Sequence, residues 1–278
     1  MADYEQHYID GDRYRLGVHR YPSAAERAVI MLPAMGVPAG YYRRFALQLR
    51  EFDCDVSIVD LRGTGSSTPK PARRVNFGYG DLVNDISAFY ERLAPDVDGR
   101  PVLLLGHSLG GQLGLLHQAL RGSAGIDVRA AALIASGLPY HALYGRRSIP
   151  LYAIASGMSA ASAILGHWPG YGFAGRQPRR LIRDWAHTVR TGRFPDLDGR
   201  DTEAALAELK LPVLAITVQG DPLTPPVTSR HLTGKLAAAE LETHHYRHDE
   251  AGARLDHFTW ARNSEPLTRR LRDFLDRA

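Results

Sequence analysis

Ser108, Asp221 and His257 are the residues whose types and surroundings best fit nucleophilic acyl chemistry. Ser108 sits in Gly106-His107-Ser108-Leu109-Gly110-Gly111, directly after the apolar run Val102-Leu103-Leu104-Leu105. Glycines two positions before and after it leave room for a sharp strand-to-helix turn, so the hydroxyl stands clear of the sheet. A serine hydroxyl is a weak nucleophile at neutral pH and needs a base within reach and an acid to orient that base. Asp221 follows the apolar run Val213 to Val218, at a strand's carboxyl end, within Gln219-Gly220-Asp221-Pro222-Leu223-Thr224-Pro225. His257 lies in the loop Leu255-Asp256-His257-Phe258-Thr259-Trp260, just before the last helical pattern.

Each candidate has a competitor. Ser108 could be an inert turn residue, and Asp221 could only cap a turn before Pro222. Asp249 and Asp256 are substitute acids; His244, His245 and His248 are substitute bases. The cluster His244-His245-Tyr246-Arg247-His248-Asp249 invites a metal, yet strand alternation sends adjacent histidines to opposite faces, so no metal site is expected. His107 reads as structural, turned away from Ser108 into packing, and Asp60 and Arg62 read as loop-stabilising residues.

Positioning these side chains requires a sheet. Short apolar runs at Tyr14 to Arg20, Ala28 to Leu32, Cys54 to Asp60, Val102 to Leu105, Ala130 to Ala135, Val213 to Val218 and Leu241 to Tyr246 read as strands. Helical patterns fall at Tyr41 to Glu51, Leu82 to Leu93, Leu109 to Arg121, Pro226 to Ala239 and Glu265 to Arg277. The alternation predicts an α/β fold, a mostly parallel central sheet with helices on both faces. Between Ala135 and Val213 no convincing strand occurs, so residues 137–208 read as a helical lid inserted into a core of residues 1–136 and 209–278.

The chain order Ser108, Asp221, His257, with these flanks, resembles the α/β-hydrolase family from about Tyr14 onward. Asp60-Leu61-Arg62-Gly63-Thr64-Gly65-Ser66-Ser67 looks like the family's D-x-R-G-x-G-x-S segment. Leu32-Pro33-Ala34-Met35-Gly36 falls where the family usually carries His-Gly before an oxyanion residue, and here Pro33 and Ala34 replace that pair. The resemblance implies Met35 and Leu109 as backbone oxyanion donors, with Leu109 also opening a helix whose N-terminus favours negative charge. It further implies a cofactor-independent hydrolase that cleaves a carboxylic ester, or a thioester or amide, through an acyl-Ser108 intermediate. Acyltransferases, peroxidases and lyases use the same triad, and a non-catalytic binding protein on this fold is the alternative of a different class. Dehalogenase and epoxide-hydrolase relatives fit poorly, since they carry aspartate where Ser108 stands.

Bulk properties narrow the rest. The 278 residues carry 34 Lys and Arg against 30 Asp and Glu, without a polybasic run, so nucleic acid is not an expected partner and a small acyl substrate is. The single cysteine, Cys54, reads as a buried hydrophobe. The polar start Met1-Ala2-Asp3-Tyr4-Glu5 lacks the order of a signal peptide, which makes a cytoplasmic location the expectation. No charged residue occurs from Ser148 to Gly175, but Pro150, Pro169 and several glycines favour short helices over a pocket, and no stable membrane span is expected. Tyr140, Tyr144, Tyr152, Trp168, Tyr171, Phe173, Trp185 and Phe194 could wall an apolar pocket. Nine arginines between Arg146 and Arg200 make an acidic substrate or carrier conceivable. Oligomeric state is not legible.

Overall fold

Short β-branched and leucine-rich runs buried on both faces build the centre of the sheet. The structure, a computed structural model, describes residues 3–123, 125–172 and 174–278, so Phe173 lies outside the described residues. Strands β1 (Glu5–Asp10), β2 (Arg15–Tyr21), β3 (Arg27–Leu32), β4 (Cys54–Val59), β5 (Val102–His107) and β6 (Val128–Ile134) form most of one sheet. Two later strands, β9 (Val213–Val218) and β10 (Leu241–Tyr246), complete it in the order β1-β2-β4-β3-β5-β6-β9-β10. All neighbouring pairs from β4 onward run parallel; β1 and β2 run antiparallel. The expected architecture holds, with boundaries shifted by one or two residues at strand ends. Strand β1 was not anticipated, because Glu-Gln-His-Tyr-Ile-Asp is largely exposed and has only one buried residue, Ile9.

Helices α1 (Arg43–Glu51), α2 (Tyr79–Val97), α3 (Leu109–Arg121), α7 (Pro226–Thr233), the single turn α8 (His248–Ala251) and α9 (Glu265–Leu275) accompany the strands. Two hydrophobic clusters lie on opposite sides of the sheet: one includes Leu104, Leu113 and Phe89, the other Leu103, Phe45 and Trp260. The predicted helix from Tyr41 is a 3₁₀ turn, Ala39–Tyr42, that runs into α1. Helix α2 starts earlier than expected because the Asp81 carboxylate accepts the Gly78 N–H at 2.8 Å and Asp184 accepts the Tyr79 N–H at 3.0 Å. Helix α7 stops at Gly234, short of the predicted Ala239, and the chain leaves in tight turns at Lys235 and Leu236.

Between β6 and β9 the chain builds α4 (Ser148–Leu165), α5 (Arg179–Thr191) and α6 (Thr202–Ala207). A two-residue ribbon pairs β7 (His167–Trp168) with β8 (Gln177–Pro178), a small strand element where none was expected. The uncharged segment is also not a set of short helices. It begins as one 18-residue helix, α4, which tolerates Pro150 because the first turn leaves its backbone N–H groups unbonded anyway. Cys54 is buried, and burial pushes its thiol up to about 11.

Buried histidine makes folding pH-dependent. His117 on α3 meets the Ser87 hydroxyl through Nε2 at 3.0 Å, while its Nδ1 is buried without a hydrogen bond. Burial, with help from the charge of Arg121, lowers its pKa to about 4. The folded state therefore prefers the neutral ring: this stabilisation is complete above the unfolded value near 6.5 and is lost as pH falls through about 4. The linkage is worth on the order of 3 kcal/mol. His117→Gln should flatten the decline in melting temperature between pH 6.5 and 4 relative to the parent; parallel curves would refute this assignment.

Candidate active site

The elbow is dictated by glycine. Ser108 adopts φ 53° and ψ −117°, a strained conformation for a residue with a side chain. A Cβ on Gly106 would collide with the backbone of Gly110 and Gly111, and one on Gly111 with Ser136. The backbone holds the turn: the Ser108 N–H donates to the Ile134 carbonyl at 3.1 Å, and the Ser108 carbonyl accepts from Gly111 N–H at 3.1 Å and Ser136 hydroxyl at 3.0 Å. The Ser108 side chain does not cap α3. Its hydroxyl is thus not spent on the helix, against what a serine at that position usually does.

Asp221 and His257 are brought together. Asp221 Oδ2 lies 2.7 Å from His257 Nδ1, and both side chains are almost fully buried. Asp221 Oδ1 accepts the N–H groups of Leu223 at 2.8 Å and Thr224 at 3.0 Å, and the Thr224 hydroxyl reaches Oδ2. Asp221 therefore caps its own turn and orients a histidine with different oxygens. Burial on its own raises the carboxyl pKa, but the hydrogen bond and charge of His257, with those from Thr224, outweigh it and hold the value below the ordinary one. An ionised Asp221 can only accept, so Nδ1 of His257 is the donor, and in the neutral ring this leaves the lone pair on Nε2. The last link is open here: among the described residues, the Ser108 hydroxyl makes no hydrogen bond to His257. Such contacts commonly tighten only when substrate binds.

The substitutes are occupied elsewhere. Asp256 accepts the Phe258 and Thr259 N–H groups and so shapes the loop that carries His257. Asp249 pairs with Arg247. His244 meets Glu250 at 2.9 Å, His245 meets Thr217 at 2.8 Å, and His248 accepts the Leu255 N–H at 3.0 Å.

Met35 lies in a tight turn closed by Val37 N–H donating to Ala34 O at 3.1 Å, with Gly36 at φ 73°. Gly110 lets the start of α3 pack directly on the Leu32 and Pro33 carbonyls, where a Cβ has no room. This close approach places the turn that carries Met35 beside the helix end that carries Leu109. The neighbouring turn hydrogen bonds use Val37, Gly111 and Gln112 as donors and take neither the Met35 nor the Leu109 N–H.

A buried relay, not anticipated from sequence, joins these parts. Ala34 N–H donates to the Tyr42 hydroxyl at 3.1 Å, Tyr42 lies 2.7 Å from His107 Nδ1, and His107 Nε2 lies 2.9 Å from the His257 carbonyl. The carbonyl can only accept, so His107 carries its proton on Nε2 and Tyr42 donates to Nδ1; the longer Trp260 contact at 3.4 Å is secondary. Burial, reinforced by the His257 ring, keeps His107 well below the usual imidazole range and hence neutral. The expectation of a structural His107 is met, and its structural task is to tie the turn before Met35 to the backbone of His257. Tyr42→Phe should lower kcat about tenfold with KM nearly unchanged, since it unpairs Ala34 N–H and His107 Nδ1. An unaltered kcat would show that the relay positions nothing. Asp60 and Arg62 likewise meet expectation. Asp60 accepts from Ala39 and Ser66 N–H at 2.6 Å, and Arg62 clamps Asp85.

A strand–elbow–helix unit at the centre of a mostly parallel eight-stranded sheet makes this molecule an α/β-hydrolase enzyme. The chain belongs to the Hydrolase_4 family, serine aminopeptidase, S33, whose family model matches residues 23–191. That span includes Ser108 and ends before Asp221 and His257. Human monoglyceride lipase is 30% identical over 117 residues, which covers 41% of this chain and 38% of that relative's length. A soluble variant of monoglyceride lipase from Saccharomyces cerevisiae superposes with a TM-score of 0.73 at 18% identity, covering 100% of this chain and 96% of that one. Est1E from Butyrivibrio proteoclasticus, solved with ferulic acid, gives 0.67 at 16% identity and covers 98% of each chain. At these identities the two structures speak for the fold.

Proposed function

We propose that this hydrolase cleaves a carboxylic ester through an acyl-Ser108 intermediate. The observation that carries the reading is the buried 2.7 Å bond between Asp221 and His257, which leaves Nε2 free as a base on a loop tied to the residue next to Ser108. In this mechanism His257 takes the serine proton as Oγ attacks the carbonyl carbon, and the N–H groups of Met35 and Leu109 receive the developing oxyanion. His257 then protonates the leaving alcohol, and water, deprotonated by His257, releases the acid. Residues 137–208 serve as a lid over the carboxyl ends of the strands. Their tether to the acid loop supports this, since the Tyr144 hydroxyl donates to Leu223 O at 2.6 Å.

Ester rather than aminoacyl amide is favoured by charge. A groove of about 450 Å³ opens beside Gly36 and Gly65, lined in part by Lys70 and Arg176 and, among the described residues, by no carboxylate. Two cations there disfavour a substrate with a protonated amino terminus and suit a neutral or anionic polar end. A fluorophosphonate probe should label the protein at Ser108, and aryl esters should turn over faster than aminoacyl anilides. Absence of labelling at Ser108 would favour a binding protein, and preference for the anilides would reverse the substrate class.

A further inference from the structure

Helix α4 turns toward solvent a face that water disfavours. Its inward stripe, Leu151, Ala155, Met158 and Ser162, recurs every three or four residues, and its apolar members join the cluster that holds Leu181, Ile182 and Trp185 of α5. The opposite face carries Ile149, 82% exposed, and Ile164, 78% exposed, flanked by Ile154 and Leu165. Six of the ten exposed large apolar side chains among the described residues fall between Ile149 and Tyr171, so exposed apolar surface is concentrated in this segment. Helix α5 shows the ordinary alternative, with Arg179 and Arg183 on its solvent side. An outward face without a single charge needs a partner.

Cations frame the patch. Arg146 and Arg147 are exposed at the N-terminal end of α4, and Arg73 packs against Gly166 at the C-terminal end with Arg74 beside it. Among the described residues none of Arg73, Arg74 and Arg146 has a carboxylate partner. The helix cannot span a bilayer as it stands here, because its inward stripe is packed against protein and lipid cannot surround it. A second copy docked antiparallel on the same face would set Arg146 and Arg147 against the other copy's Arg73 and Arg74, which repels. A surface that is apolar beneath and anionic at the level of the arginines satisfies both features. We propose that the outward face of α4, with these arginines, seats the protein on a bilayer that carries anionic lipid, the helix lying in the headgroup plane.

The test is sedimentation of the intact protein with phosphatidylcholine vesicles, with and without phosphatidylserine. The protein should pellet with the anionic vesicles only and be released by salt. The double variant Ile149→Asp, Ile164→Asp should bind at least about tenfold more weakly. Because both residues point away from the core, its melting temperature should match the parent's; should it fall, the milder pair Ile149→Ser, Ile164→Ser is compared at equal folded fraction. Protein that stays in the supernatant, binds neutral and anionic vesicles alike, or keeps its binding in the variants overturns the proposal. So does a dimer in solution that the same substitutions disperse.

Discussion

Ser108→Ala is expected to lower kcat by about 10⁴- to 10⁶-fold without loosening the fold. The two halves of that result come from different atoms. The elbow is held by the Ser108 N–H and carbonyl, which alanine keeps, and the side chain caps nothing. The hydroxyl is thus expendable for structure, while in the proposed mechanism it is the attacking atom. Steady-state kinetics on an aryl ester, alongside a melting curve, checks both halves, and fluorophosphonate labelling should vanish with the activity. Activity within about tenfold of the parent would mean that another nucleophile, or none, does the chemistry.

Gly110→Ala should destabilise the protein by about 3–5 kcal/mol and inactivate whatever remains folded. A methyl group there meets the carbonyl oxygens of Leu32 and Pro33 well inside contact distance, and both obstacles are backbone. Leu32 cannot retreat readily, because β3 is paired on one side with β4 and on the other with β5. Relief must come from moving α3 away from the turn with Met35, which separates the proposed oxyanion donors; losing one typically costs on the order of 10²- to 10³-fold in rate. The same change at Gly157, inside α4 with open space around it, should be neutral or stabilise by up to about 1 kcal/mol. Denaturant melts of both variants measure the contrast, and a Gly110 variant as stable as the parent would refute the packing argument.

What could be read in advance followed from locality. The elbow is a local pattern of strand, two flanking glycines and helix, so Ser108 and the course of β5 and α3 were legible from a dozen residues. Asp221 and His257 were legible because each closes a recognisable strand or precedes a helix, although their 2.7 Å contact spans 36 positions. Tyr42 was not, since its partners Ala34 and His107 are 8 and 65 residues away and a tyrosine in a helical pattern looks like core. Thr224 was missed for a related reason: its hydroxyl reads as turn chemistry until the carboxylate it touches is seen to hold a histidine. Helix α4 differs from the expected short helices because Pro150 falls in its first turn, where a missing N–H costs nothing, and because Gly157 does not break it. Composition fixes what a segment avoids, whereas only packing shows which side is covered.

The strand order leaves β1 and β10 at the two rims of the sheet. Tyr8 and Leu241 are exposed there, but each rim also carries charge, Glu5 and Asp10 on one and Glu242 on the other. Rims of this kind resist recruitment of a further strand from another molecule, because charge must be stripped of water before main chains can join. Self-templated aggregation is thereby discouraged at both rims of the sheet.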